Sequence, residues 1–249
     1  MRGLWPAALG LLLSGSSIGL QHPVETDLGQ KVHARPLTEH TWLVSSVSDY
    51  ETFGEVQSNA VLVAGTRDSV LIDTPATNAQ TALVLDWAEK RLHRPVRHLV
   101  VTHWHNDRMG GIDTALERHV ATYALGKTID LARQHGLSLP EHELLGGDRL
   151  TLSGVPLEIY YPGHGHTADN ILVWIGRDRV LDGGCFVKAM SATTLGNLAE
   201  IDVPSWSKGV AAVLRRYPGA QVVVPGHGET GGLELLRHTA ELLATPERE

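Results

Sequence analysis

A chain of 249 residues with 42% hydrophobic content is long enough to bury a substantial core, as one large domain or two small ones. Its net charge of −7, with no lysine- or arginine-rich run, excludes the phosphate-neutralising face of a nucleic-acid binder and the basic patch of a membrane-surface protein. Low-complexity tracts are absent, so the composition is that of a folded chain.

The first twenty residues, MRGLWPAALGLLLSGSSIGL, set an arginine before an apolar run and then small residues. That order predicts a secretory signal peptide over 1–19 and a mature domain over 20–249. The apolar run is shorter than the roughly 20 residues a membrane crossing needs. Export of a chain of bacterial character means the periplasm. The single cysteine, Cys185, has no partner for an intramolecular disulfide. It is either a buried small hydrophobe or a free thiolate.

Beyond the leader, residues 41–47, 59–65 and 69–74 are rich in β-branched residues and bounded by turn residues, which predicts strands. The polar stretch 48–58 between the first two reads as a loop carrying Tyr50 and Phe53 beside Gly54. Apolar spacing predicts a helix over 77–92, stopped by Pro95, then a strand over 96–103 and a helix within 110–119. A second cycle follows: a helix at 126–135, a strand pair at 148–154 and 155–163, and strands at 170–176 and 178–184. A helix at 204–218, a strand at 220–228 and a helix at 232–244 complete the chain. Runs of strands with interspersed helices predict a layered α/β fold, sheets covered by helices on the outside. No linker divides the mature chain, which reads as one domain.

Four of these strands end in the same way. VVTHWHNDRMGG brings His103, His105 and Asp107; YPGHGHTADN brings His164 and His166; DGGC brings Cys185; VPGHG brings His227. Each group follows an apolar strand and sits amid glycine, and strand ends of a layered fold meet at one edge. Most of the 14 histidines are ordinary solvated residues. The fourfold recurrence sets these apart. Imidazole, thiolate and carboxylate are the donors zinc prefers. His103 and His105, two apart, point the same way, and His166 completes a three-histidine site. Asp107, Cys185 and His227 make a second.

These four motifs together resemble the metallo-beta-lactamases, from about residue 40 to 243. The match is to their broad-spectrum dizinc subclass with an Asp-Cys-His second site, and 160–238 is especially similar to the Verona-type enzymes. Other hydrolases of the superfamily carry histidine after the loop aspartate and a bridging aspartate between the metals. Arg108 and Cys185 stand there in this chain.

The resemblance implies a four-layer αβ/βα sandwich with two zinc ions at one edge. It assigns His166 rather than His164 as ligand. It gives Lys188 to the substrate carboxylate, Asn197 to the lactam carbonyl, and Tyr50 and Phe53 to a mobile flap. The implied reaction is opening of a β-lactam amide by a hydroxide held between the zincs, with Asp107 and Asn197 as catalytic residues and carbapenems among the substrates. Asp73 matches either a carboxylate supporting the metal loop or a structural aspartate. Asn106, Arg108 and His164 receive no fixed role, though a guanidinium at 108 would neutralise charge near Asp107. The implied partners are small β-lactam substrates, and the implied protein is a monomer without stable membrane association. A thioester or lactone hydrolase and a non-catalytic zinc-binding protein are the alternatives. A serine nucleophile is not one of them, for no S-x-x-K motif with its partner boxes is present.

Overall fold

The computed structural model describes residues 25–245, so the signal peptide predicted over 1–19 lies outside the described residues. Among the described residues there are two sheets. The first holds eight strands in chain order: β1 (Thr26–Gly29), β2 (Val32–Pro36), β3 (Thr41–Tyr50), β4 (Gly54–Ala64), β5 (Ser69–Ile72), β6 (Val96–Val101), β7 (Ala121–Leu125) and β8 (His142–Leu144). The second holds β9 (Arg149–Leu152), β10 (Val155–Tyr160), β11 (Leu172–Ile175), β12 (Val180–Gly184) and β13 (Val222–Pro225), in order of position across the sheet from β9 to β13. The helices are α1 (Asn78–Lys90), α2 (Asn106–Met109), α3 (Ile112–Glu117), α4 (Gly126–Gln134), α5 (Val203–Arg216) and α6 (Glu234–Ala244).

The two-residue period of a strand divides the apolar residues between layers. In β4 and β6, Val61, Val63 and Val100 face the second sheet and meet Leu157, Ile159, Val173 and Ile175. Their neighbours Leu62, Leu99 and Val101 face the other way and pack against Val84, Leu85 and Ala88 of α1 and Ile112 and Ala115 of α3. On the far side, Leu172, Leu181 and Val223 meet Trp206, Val210 and Val213 of α5 and Leu235 and Leu236 of α6. Three apolar seams therefore join four layers, helix–sheet–sheet–helix, as the αβ/βα expectation requires. Strands buried on both faces explain why these runs are continuously apolar.

Local signals set the helix starts. Thr77 accepts a hydrogen bond from Gln80 N at 3.2 Å to cap α1, and Asp202 accepts from Ser205 N at 2.9 Å to cap α5.

Two expectations need correction. The stretch 48–58 is not a loop but the end of a hairpin: β3 and β4 pair as far as Tyr50 and Gly54, leaving 51–53 as the turn. A backbone ladder, not apolar burial, stabilises these exposed ends, so no hydrophobic alternation announces them. β1, β2, β7 and β8 were not expected at all. β1 and β8 are short and mostly exposed, whereas β2 and β7 are too brief to establish a period. The helix expected within 110–119 is present as α3; a further single turn, α2, precedes it in the ligand loop, and Gly110 and Gly111 separate the two. Gly111 is required there, because a Cβ would lie 1.8 Å from Thr81 Oγ1 of α1.

Candidate metal centre

Every predicted donor sits just past a strand end. β6 stops at Val101 and releases His103, His105 and Asp107; His166 follows β10, Cys185 follows β12, and His227 follows β13. All six meet. The donor atoms of His103, His105 and Asp107 lie within 4.8 Å of one another, as do those of His103, His166 and Cys185, and those of Asp107, Cys185 and His227. The three rings of His103, His105 and His166 stand mutually edge-on, with centroids 4.9, 5.2 and 5.3 Å apart. Cys185 Sγ is 3.3 Å from His227 Nε2 and 3.5 Å from Asp107 Oδ2.

Electrostatics match a cation. Burial, reinforced by the neighbouring His105, pushes His103 well below the usual imidazole range, so it is neutral, as a ligand must be. Against the upward pull of burial, the Arg108 guanidinium and His227 hold the Asp107 carboxyl well below the usual carboxylate range. Burial pulls His227 down, but the charge on Cys185 and Asp107 outweighs it and raises His227 to about 10, so these two groups hold a proton on its Nε2 in the place a metal cation would take. His103 Nε2 and His166 Nδ1 are buried ring nitrogens without a hydrogen-bond partner. Orphaned nitrogens beside a thiol and a carboxylate fit zinc.

Of the supports of this cluster, Asp73 was marked in the sequence, as a carboxylate of the metal loop or a structural one; the others were not. Asp73 adopts φ +62 and accepts from Thr102 N and Oγ1, both at 2.7 Å, fixing the start of the ligand loop. Asp169 accepts from Trp104 N at 2.9 Å and so ties the first loop to the one bearing His166. Glu200 accepts from Trp104 Nε1 at 3.1 Å and from His105 Nε2 at 3.2 Å. A carboxylate there keeps the proton on Nε2 and leaves His105 Nδ1 as the donor for a metal. His164 gives its Nε2–H to the Glu200 carbonyl oxygen at 2.5 Å instead of joining the rings. Asn106 donates to Ala76 O at 3.2 Å.

Arg108 does more than neutralise charge. It is fully buried, donates to Asp107 and to Gly226 O at 2.7 Å, bonds the Asn59 carbonyl, and lies 3.6 Å from Asp73. Gly226 admits it closely: a Cβ there would stand 2.6 Å from Cys185 Sγ and 2.9 Å from Arg108 Nη2.

The substrate-binding candidates surround the cluster less tightly. Lys188 is almost wholly buried, its ammonium 5.4 Å above the Trp206 ring. Among the described residues no carboxylate lies within ion-pair distance of it. Phe53 projects from the hairpin turn at 63% exposure. Burial together with the Asp107 charge pushes the half-buried Tyr50 hydroxyl up to about 12. Asn197 is exposed and accepts from Ala199 N at 3.1 Å within its own loop, so it is not drawn into the cluster.

The profile of the metallo-beta-lactamase superfamily matches residues 53–227. The chain is also 39% identical over 207 residues to a type 2 metallo-beta-lactamase of Bacteroides fragilis, covering 83% of each. The chain belongs to the metallo-beta-lactamase superfamily. Solved members agree with its architecture. A metallo-beta-lactamase from Pontibacter korlensis superposes with a TM-score of 0.81 at 35% identity, covering 85% of this chain and 98% of that one. The FIM-1 metallo-beta-lactamase of Pseudomonas aeruginosa, solved in a mono-zinc form, gives 0.80 at 35% identity, covering 87% and 97%. Within the superfamily, the Arg108 and Cys185 positions now have a physical meaning. Arg108 offers no lone pair and commits its N–H groups to protein oxygens, so it cannot stand in for a ligand histidine.

Proposed function

We propose that this chain is a zinc-dependent beta-lactamase opening the lactam amide of penicillins, cephalosporins and carbapenems. The convergence of six imidazole, thiolate and carboxylate donors past the ends of four strands carries the reading. Relatives over most of its length are named metallo-beta-lactamases. His103, His105 and His166 would hold one zinc; Asp107, Cys185 and His227 would hold a second. When bound, zinc polarises a carbonyl oxygen and lowers the pKa of water so that a nucleophile exists at neutral pH.

The chain's own groups do the rest. The unpaired, buried ammonium of Lys188 is suited to the carboxylate of a bicyclic lactam, since desolvation strengthens the attraction. Asp107, held as a carboxylate by Arg108 and His227, is suited to accept a hydrogen bond from the attacking water. Asn197 spends its oxygen within its loop, leaving the amide nitrogen to donate to the developing oxyanion. Phe53 and Tyr50, on the β3–β4 hairpin, cover the substrate's apolar face and exclude water. One chain supplies all six donors, so a monomer suffices. The leader composition supports export to the periplasm. Among the described residues no helix is long and apolar enough to cross a membrane, and the reading includes no stable membrane association.

Turnover of one member of each drug class, with and without EDTA, tests the assignment. Chelation removes at least about 100-fold of the rate, on the scale that outer metal partners alone cost 10–100-fold, and added zinc restores it. Chelator-insensitive hydrolysis, or turnover of S-lactoylglutathione alone, rules the reading out. Cys185→Ser divides the two sites: metal analysis is expected to give one tightly held zinc per chain, in the three-histidine site. Two retained ions would remove Cys185 from the ligand set.

A further inference from the structure

We infer that Gln57 is a positioning residue that locks the His227 turn onto the flap strand and thereby sets how strongly the Asp107–Cys185–His227 trio holds its ion. The inference rests on the zinc reading of that trio.

Two parts of Gln57 grip the turn. Its backbone carbonyl oxygen accepts the Nδ1–H of His227 at 2.7 Å. A carbonyl can only accept, so the proton is fixed on Nδ1 and the Nε2 end faces Cys185 and Asp107. Its side-chain Oε1 accepts from Gly228 N at 2.7 Å. Gly228 sits at φ +79, where a Cβ would come within 2.8 Å of Ala189 Cβ, so the turn has little room to relax elsewhere.

The far end of the same amide finishes the clamp. Gln57 Nε2 donates to Asn59 Oδ1 at 2.6 Å. This orients Asn59 so that its Nδ2 donates to Pro225 O at 2.9 Å and to Gly228 O at 2.8 Å. Asn59 N donates to Gly226 O at 2.9 Å. Two polar side chains of β4 thus satisfy Pro225 O, Gly228 O and Gly228 N in the turn that carries His227. Gln57 pairs with Val47 in the hairpin, three residues from Gly54, where the flap turns. Movement of the flap root is therefore transmitted to a metal donor through one residue.

Gln57→Met keeps the length of the side chain and removes both of its hydrogen bonds. Cobalt titration of the metal-free protein, read in the thiolate-to-cobalt absorption that only Cys185 can give, is expected to show about 10-fold weaker binding at the trio. The visible bands of the three-histidine site keep wild-type affinity. Gly228 amide exchange in the metal-free variant accelerates, a readout independent of metal and activity. Gln57→Ala gives the same pattern. Wild-type cobalt affinity and wild-type Gly228 exchange in Gln57→Met overturn the clamp. Absence of the thiolate band in wild-type protein overturns instead the zinc reading on which it stands.

Discussion

His166→Ala lowers kcat/KM for a β-lactam by at least about 100-fold, whereas His164→Ala, two residues away, costs less than about 10-fold. The structure separates the two by what each ring meets. His166 is buried with an orphaned nitrogen, its ring about 5 Å from those of His103 and His105. Loss of a ligand removes more than the 10–100-fold that outer partners contribute. His164 makes a single hydrogen bond to the Glu200 carbonyl, worth about 1 kcal/mol. Its loss slackens the loop that carries Asn197 and leaves the donors in place. Steady-state kinetics on both variants, with zinc analysis, checks the pair. A reversed order of effects means that the ligand has been assigned to the wrong ring.

Arg108→Ala destabilises the metal-free protein by about 3–5 kcal/mol, the cost of breaking a buried ion pair by removing one member. Asp107 and Asp73 lose their shared cation, while Asn59 O and Gly226 O lose a donor. Arg108→Lys is expected to recover little. An ammonium is a point charge and cannot bridge two carboxylates and two carbonyl oxygens lying in different directions. Urea unfolding of metal-stripped wild type and variants measures this directly. A loss under about 1 kcal/mol would show that the guanidinium is dispensable to the scaffold.

The legible part of this protein was its apolar skeleton and what hangs from the skeleton's ends. Strands such as β6 and β13 are buried on both faces, so hydrophobicity alone marks them, and the donors follow immediately. The distal ends of β3 and β4 escaped because their pairing rests on backbone bonds among exposed side chains. The supports escaped for a different reason. Glu200, Asp169 and Gln57 are polar residues in polar surroundings along the chain, and only tertiary contacts with Trp104, His105 and Gly228 give them work. Asn59 carried a signal: a buried amide opening the apolar run NAVLVA has to spend its hydrogen bonds somewhere. Arg108 was placed correctly near Asp107, but complete burial of a guanidinium leaves no mark in sequence.

The division of donors between sheets has a consequence for biogenesis. His103, His105 and Asp107 leave the eight-stranded sheet, while His166, Cys185 and His227 leave the five-stranded one. Neither half owns a complete coordination set, so tight metallation reports that the halves have mated in register. A bound ion would therefore tie the two sheets together: a chain whose halves have not packed against each other offers no complete donor set.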